Sequence, residues 1–351
     1  MRYPRAPSAR RTRSQRDAIA PPSAKPTTNR PVTTRRHFLR TTLGLAALPI
    51  AMPTEHDQDA ATLPAPSTAF LPISLAQWSL HRTLRSGELD NLGFAAFTRR
   101  TFDIDAVEYV NSFFTHGATD FRYLREVQRA ADDAGVRNLL IMIDGEGRLG
   151  AQDATERRRA VQSHFKWLAA AKLLDCHAVR VNVSGSGDRN EHARLAADSL
   201  HQLCEVADEY ELSVIVENHG GPSSDGAWLA DTIRRADHPR CGTLPDFGNF
   251  LIGRDADGTE QWYDRYRGVE ELMPFARAVS AKSHDFDDSG EETRTDFERM
   301  LRIVLDAGYR GHVGIEYEGS RLSEIDGVRA TKALLERVRA KLAPEFRHES
   351  R

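Results

Sequence analysis

The stretch SVIVENHGGPSSD, Ser213 to Asp225, decides how the chain is read. Val214, Ile215 and Val216 are β-branched and apolar, the composition of a strand covered on both faces. Glu217, Asn218 and His219 follow without a break, before Gly220 and Gly221 turn the chain. A carboxylate at the end of a buried strand is costly unless it is paired, hydrogen-bonded or bound to a cation. The run therefore reads as a strand whose C-terminal end opens on a polar site.

The same grammar recurs along the chain. After residue 70, short apolar runs alternate with longer amphipathic stretches, eight of each. The expected strands are Ile73 to Gln77, Ala106 to Val110, Leu139 to Ile143, Ala178 to Val183, Ser213 to Glu217, Gly242 to Asp246, Val279 to His284 and Val313 to Tyr317. Between them, stretches such as DFRYLREVQRAADDAG and DFERMLRIVLDAG space their apolar residues by three and four, with Gly135 and Gly308 as stop signals. Such alternation makes parallel strands joined by crossover helices. Eight units of this length predict an α/β fold, a single-domain (β/α)8 TIM barrel over residues 70–345 with a tail at 346–351; an open doubly wound sheet is the alternative. Each strand carries polar residues at its C-terminal end: Gln77, Glu108, Asp144, Asn182, Glu217 with His219, Asp246, His284, and Glu316 with Glu318. In a barrel these ends converge on one face, where active sites of this architecture sit.

Residues 1–52 hold 11 lysines and arginines against one acid, Asp17, which leaves 37 basic and 50 acidic residues in the remainder, a net of −13. An acidic body argues against nucleic acid as a partner, since a groove that tracks phosphates is basic. The basic lead is a separate matter. TTRRHFLRTTLGLAALPIAMP places Arg35 and Arg36 before a short apolar run from Leu43 to Met52, and resembles a twin-arginine export signal. Residues 1–69 are thus expected to be a disordered signal segment and linker, with the twin-arginine translocase as a transient partner and a periplasmic or other extracytoplasmic destination. The apolar run is too short for a stable membrane anchor. Cys176, Cys204 and Cys241 are odd in number and lack C-x-x-C spacing, so they read as small buried hydrophobes. Nothing in the sequence specifies an oligomeric state.

Four of the polar strand ends have the chemistry of metal ligands: Glu217, Asp246 in LPDFGNF, His284 in VSAKSHDFD and Glu316 in VGIEYEG. Side chains two apart share a strand face, so Glu217 lies with Ile215, His284 with Lys282 and Ser280, and Glu316 with Gly314. Three carboxylates and one imidazole make a mostly oxygen site that suits Mn²⁺ or Mg²⁺, with Co²⁺, Fe²⁺ or catalytic Zn²⁺ also compatible. Any one acid taken alone has a plainer explanation as a helix cap or an arginine partner.

From about Ile73 to Leu335, the segments RNLLIMIDGEG, HFKWLAAAKLLDCHAVRVN, VIVENHGG, CGTLPDFGNF, ELMPFARAVSAKSHDFD and GHVGIEYEG resemble the sugar phosphate isomerase/epimerase family, the xylose-isomerase-like barrels. The resemblance implies a divalent metal held by Glu, Asp, His and Glu from the fifth to eighth strands, acting on a keto sugar or polyol. Many relatives carry the ligand histidine two positions before the lysine of the seventh strand; Ser280 stands there in this chain, and His284, two positions after Lys282, is expected to substitute. A chelated ketone has an acidic α C–H bond, and Glu217 and Glu316 are the expected groups to remove and return its proton through an enediolate. Return to the opposite face is epimerisation; movement between C1 and C2 is aldose–ketose isomerisation. Lys282 is placed to stabilise a developing oxyanion, or else pairs with Asp246 or Glu217. Glu108, His219, Asn182, His81 and Asp144 are candidate substrate contacts, each with a hydrogen-bonded structural role as the alternative.

The same enediolate also starts a β-elimination, so a lyase that cleaves 3-keto glycosides is an alternative, and a non-catalytic sugar-binding module is a third. Phosphodiester cleavage at abasic DNA needs several zinc ions and a basic surface, against the charge balance. GEGRLG, Gly145 to Gly150, matches a dinucleotide fingerprint but follows the third strand rather than the first. DADG, Asp255 to Gly258, lacks the remaining ligands of a calcium loop and reads as a surface turn. Gly185 and Gly187 in SGSG precede a helix without a lysine and read as a tight turn rather than a phosphate cradle.

Overall fold

The computed structural model describes residues 70–346; the twin-arginine stretch and residues 347–351 lie outside the described residues. In chain order the strands are β1 (Ile73–Ala76), β2 (Ala106–Val110), β3 (Arg137–Met142), β4 (Ala178–Val181), β5 (Ser213–Glu217), β6 (Cys241–Leu244), β7 (Leu251–Arg254), β8 (Glu260–Trp262), β9 (Val279–Ser283) and β10 (Val313–Tyr317). The helices are α1 (His81–Ser86), α2 (Asn91–Phe102), α3 (Phe121–Asp133), α4 (Ala154–Leu173), α5 (Arg189–Glu209), α6 (Gly226–Ala236), α7 (Arg265–Leu272), α8 (Phe297–Asp306) and α9 (Glu324–Phe346).

Eight strands pair in parallel in the order β6-β5-β4-β3-β2-β1-β10-β9. The two edges of that ribbon meet: the N–H of Arg277 bonds the Thr243 carbonyl at 3.0 Å, that of Ser280 the Pro245 carbonyl at 2.9 Å, and that of Phe247 the Ser280 carbonyl at 3.1 Å. The cylinder is closed, as the eight βα units predicted, and the open-sheet alternative is excluded. The β7–β8 hairpin was not foreseen. It is inserted between β6 and α7, and its tip is the expected turn at Asp255 to Gly258, where Gly258 has φ +88° and its N–H bonds the Asp255 carbonyl at 2.9 Å.

Strand parity sorts the apolar residues into two cores. Val107, Val179, Val181, Val214, Val216, Val279, Val313 and Ile315 face outward into a large cluster shared with the helices. Ala76, Val110, Leu140, Met142, Ala178, Ile215 and Leu244 fill the barrel interior. Continuous apolar strands are what two covered faces demand. Helices α2 to α8 each start on an aspartate whose carboxylate accepts an N–H from the first turn: Asp90, Asp120, Asp153, Asp188, Asp225, Asp264 and Asp296. The capping acids are therefore a different set from the acids at the strand ends.

At the opposite end of the barrel, His312 Nε2 lies 3.0 Å from Nη2 of Arg137 and accepts its proton. Burial, and after it the Arg137 charge, push the His312 pKa down from 6.5 to about 4. The unfolded chain thus takes a proton before the folded chain does, and the stabilisation is complete above the unfolded value and lost as pH falls toward 4. Substitution His312→Gln is expected to flatten the acid limb of a Tm-versus-pH curve between pH 6.5 and 4; an acid limb identical to the parent's would rule this histidine out.

Candidate functional site

Glu217, Asp246 and Glu316 converge at the C-terminal mouth of the barrel: one carboxylate oxygen from each lies within 4.8 Å of the others, and all three residues are buried. Glu217 ends β5 and points inward with Ile215. Asp246 lies just past β6 and is fixed by Asn218, whose Oδ1 accepts the Asp246 N–H at 2.8 Å and whose Nδ2 donates to the carbonyls of Asp246 and Asn249 at 3.0 and 3.1 Å. Oδ1 of Asp246 then receives the backbone N–H groups of Gly248 and Asn249, both at 2.8 Å. The Asn249 side chain reaches back to Glu217 Oε1 at 3.0 Å. Glu316 stands on β10 directly beside Lys282 on β9.

Two buried cations answer these acids. Lys282 Nζ is 3.1 Å from Glu316, 3.6 Å from Glu318 and 3.8 Å from Asp246. Arg180, inward from β4, places Nε 2.9 Å from Glu217 Oε2 and donates from Nη1 to Asp144 at 2.7 Å. The Arg180–Glu217 approach is an ion pair without hydrogen-bond alignment, so Glu217 Oε2 keeps an unused lone pair. Burial pushes Glu217 and Asp246 up to about 7, against the pull of Arg180 on the first and Lys282 on the second. Burial also acts on Glu316, but Lys282 and Arg180 outweigh it and hold this acid below its ordinary range. The acids in turn hold Lys282 well above its ordinary value despite burial.

The structure distributes the sequence-based candidates as follows. Glu217, Asp246, Glu316 and Lys282 come together as expected. Glu108 lies deeper, accepting from Ser74 Oγ at 2.6 Å and pushed by burial up to about 7; a Cβ on Gly314 would meet its Oε1 at 2.5 Å, so only glycine leaves room for it. Asp144 and Asn182 serve Arg180, with Asn182 donating to Asp144 at 2.7 Å, and Arg180 outweighs burial to hold Asp144 below its ordinary range. His219 lines cavities on both sides of its turn. His81 stacks on Trp78 at 5.1 Å and contacts the Trp78 carbonyl and Glu324.

His284 requires a correction. Among the described residues the ligand group contains no histidine. β9 ends at Ser283, so the face shared by Ser280 and Lys282 does not continue to residue 284; His284 instead lines a neighbouring cavity. Ser280 takes the interior position, its Oγ 2.7 Å from Asp246 Oδ2 and 3.1 Å from Glu316 Oε2. One hydroxyl proton serves only one of these acceptors at a time. Arg180, Asn218 and Asn249 were missed by the sequence reasoning. Arg180 had a signal, an arginine two residues before Asn182 on the same strand face; the asparagines had none.

The donor set fits a divalent cation. It offers three carboxylates, a buried oxygen on Glu217 without a hydrogen-bond donor, and one hydroxyl, all hard oxygen. Arg180 is 4% exposed, so Arg180→Met strands Glu217 and Asp144 without their partner. A loss of about 3–5 kcal/mol in chemical denaturation is expected, and a loss below about 1 kcal/mol would show that the pair carries little of the fold.

A model of the xylose isomerase-like TIM barrel matches residues 94–341. Among solved structures, an L-ribulose 3-epimerase superimposes with a TM-score of 0.62 at 13% identity, covering 80% of this chain and 98% of that one. A xylose isomerase-like TIM barrel protein from Mycobacterium smegmatis, in complex with magnesium, gives 0.57 at 16% identity over 78% of this chain and 98% of that one. The alpha subunit of a C-glycoside deglycosidase from Arthrobacter globiformis is 33% identical over 66 residues, which is 19% of this chain and 17% of that protein. The chain thus spans about a sixth of the length of the curated relative it matches. Closed cylinder, acidic mouth and family match agree, and the chain belongs to the xylose isomerase-like TIM barrel family.

Proposed function

We propose that the protein is a divalent-metal-dependent epimerase or isomerase of a keto sugar or related polyol. The observation that carries this reading is the buried group of Glu217, Asp246 and Glu316 at the barrel mouth. These three residues would hold the ion, with Mg²⁺ or Mn²⁺ favoured by an all-oxygen donor set. The chemistry such an ion supplies when bound is Lewis-acid polarisation of a ketone and a neighbouring hydroxyl.

Glu217 and Glu316 are the proposed proton carriers. One removes the α proton, and the other returns a proton to the opposite face of the enediolate. Lys282, 2% exposed and 3.1 Å from Glu316, is positioned to stabilise charge developing on oxygen. Asn218 and Asn249 hold Asp246 and Glu217 in place by the hydrogen bonds described above. Asp144 and Asn182 fix Arg180 against Glu217, and Glu108 and His219 would contact substrate hydroxyls.

A second reading is supported by the likeness to a C-glycoside deglycosidase subunit. In a 3-keto glycoside the same removal of the C2 proton forms a C1–C2 double bond, and the C1–aglycone bond breaks with its electron pair leaving on the aglycone. The export signal read in residues 35–52 would place either activity outside the cytoplasm.

The purified protein is expected to carry or take up roughly one divalent ion per chain. Incubated with keto sugars in deuterated water, it should exchange the α hydrogen, and Glu217→Gln and Glu316→Gln should each slow exchange at least about 100-fold. Exchange without bond cleavage identifies the epimerase or isomerase, and release of an aglycone the lyase. A preparation that can neither bind a metal nor exchange hydrogen would falsify the enzyme reading in favour of a sugar-binding module.

A further inference from the structure

The turn His219-Gly220-Gly221 divides the barrel mouth into two cavities, one of about 560 Å³ and one of about 630 Å³. The larger lies between that turn, the β7–β8 hairpin, the start of α7 and the loop after β9. Its wall carries three arginines (Arg254, Arg265, Arg294) and two histidines (His219, His284), and no carboxylate. That sign runs against the rest of the molecule, whose acids outnumber its bases.

Two of the arginines are uncommitted. Arg254 pairs with Glu260 on the hairpin. Arg265 gives an N–H to the Thr295 hydroxyl, and among the described residues neither Arg265 nor Arg294 enters an ion pair. Two of the nearby acids, Glu292 and Glu318, are engaged elsewhere. Glu292 is buried and receives the backbone N–H groups of His284, Arg294 and Thr295. Glu318 receives the Trp78 indole N–H and lies 3.6 Å from Lys282. Trp262, 50% exposed, adds an apolar wall suited to the C–H face of a sugar ring.

The cavity abuts the acidic cluster. Gly248 lines it, and a Cβ there would sit 3.1 Å from Lys282 Cγ and 3.5 Å from His284 Cε1. The N–H of the same glycine holds Asp246. Asn249, also in the wall, holds Glu217. A molecule reaching from the acids into this cavity therefore passes directly from carboxylates to guanidinium groups.

We infer that this cavity is a subsite for an anionic group, a carboxylate or a phosphate ester, on the part of the sugar remote from the reacting carbons, held by Arg265 and Arg294. The inference rests on the sugar-epimerase reading and names its substrate class. Guanidinium groups match both anions geometrically. The chain as a whole carries more acids than bases, so its net charge gives such a substrate no general attraction.

Calorimetric titration of the full-length, metal-loaded chain with gluconate, glucose 6-phosphate and neutral sorbitol tests this. At low salt at least one anion should bind about tenfold or more tightly than sorbitol, with an advantage that shrinks as salt rises. Preference for gluconate identifies a carboxylate, and preference for glucose 6-phosphate a phosphate. The double variant Arg265→Ala/Arg294→Ala should lose the advantage with sorbitol binding unchanged, and Arg265→Lys/Arg294→Lys, which keeps the charge, should recover part of it. Equal affinity for all three probes, or an advantage that survives the alanine pair, overturns the subsite. Hydrogen exchange on neutral keto sugars without anion preference removes the subsite and leaves the enzyme standing. Anion preference without exchange on any keto sugar does the reverse.

Discussion

Three buried carboxylate oxygens within 4.8 Å of one another, at the C-terminal mouth of a closed barrel, form the constraint to which the surrounding structure answers. Like charges so placed cannot all ionise unless a cation compensates them. The fold supplies two, Lys282 and Arg180, both nearly inaccessible to solvent. Counting Glu108 beneath them, four buried acids face two buried bases, and the imbalance appears as the acids that burial pushes up to about 7. Such an interior would have been simpler to build from aliphatic side chains, since a buried ion pair seldom stabilises more than a well-packed apolar replacement. Its presence at this spot therefore fits use better than structural need.

The place where the barrel closes explains why the cluster is so tightly specified. The β6 and β9 edges join through the backbone of Pro245, Phe247 and Ser280, and the Ser280 hydroxyl then bonds Asp246 and Glu316. Seam and site share the same residues. Any slip of β9 against β6 would move Ser280 and Lys282 together, so the register of closure and the geometry of the acids are set by one set of contacts. The Asn218 side chain ties the end of β5 to the same seam.

The fold was legible because parity and period are strong signals. Both faces of every barrel strand are covered, and the apolar runs ending in polar residues marked strands and mouth at once. Glu217, Asp246 and Glu316 were legible for the same reason, being inward acids at strand ends. His284 was not. Its assignment extended strand parity one residue past the end of β9, and once the chain leaves the sheet, alternation no longer governs where a side chain goes. Asn218 escaped notice because its work is done through backbone groups of Asp246 and Asn249, which are distant in sequence. The β7–β8 hairpin was invisible because only its turn, and not its short exposed strands, carries a distinctive pattern.

Ser280 in the interior position changes what the proposed site would select. An imidazole donor favours borderline metals such as Co²⁺ and Zn²⁺, whereas a site of carboxylates and a hydroxyl has no nitrogen and leaves selection to charge and size. The hydroxyl also brings a proton, which it spends on whichever of Asp246 and Glu316 is left without a better partner. With Lys282 already turned toward Glu316, that partner is Asp246, at the shorter of the two distances. The three acids are thereby made unequal. Glu316 is tied to an ammonium group and Asp246 to a hydroxyl and two amides, while Glu217 keeps a free lone pair. Of the two proposed proton carriers, Glu316 is therefore the one held ionised beside Lys282, whereas the free oxygen of Glu217 is the one open to the proposed cation.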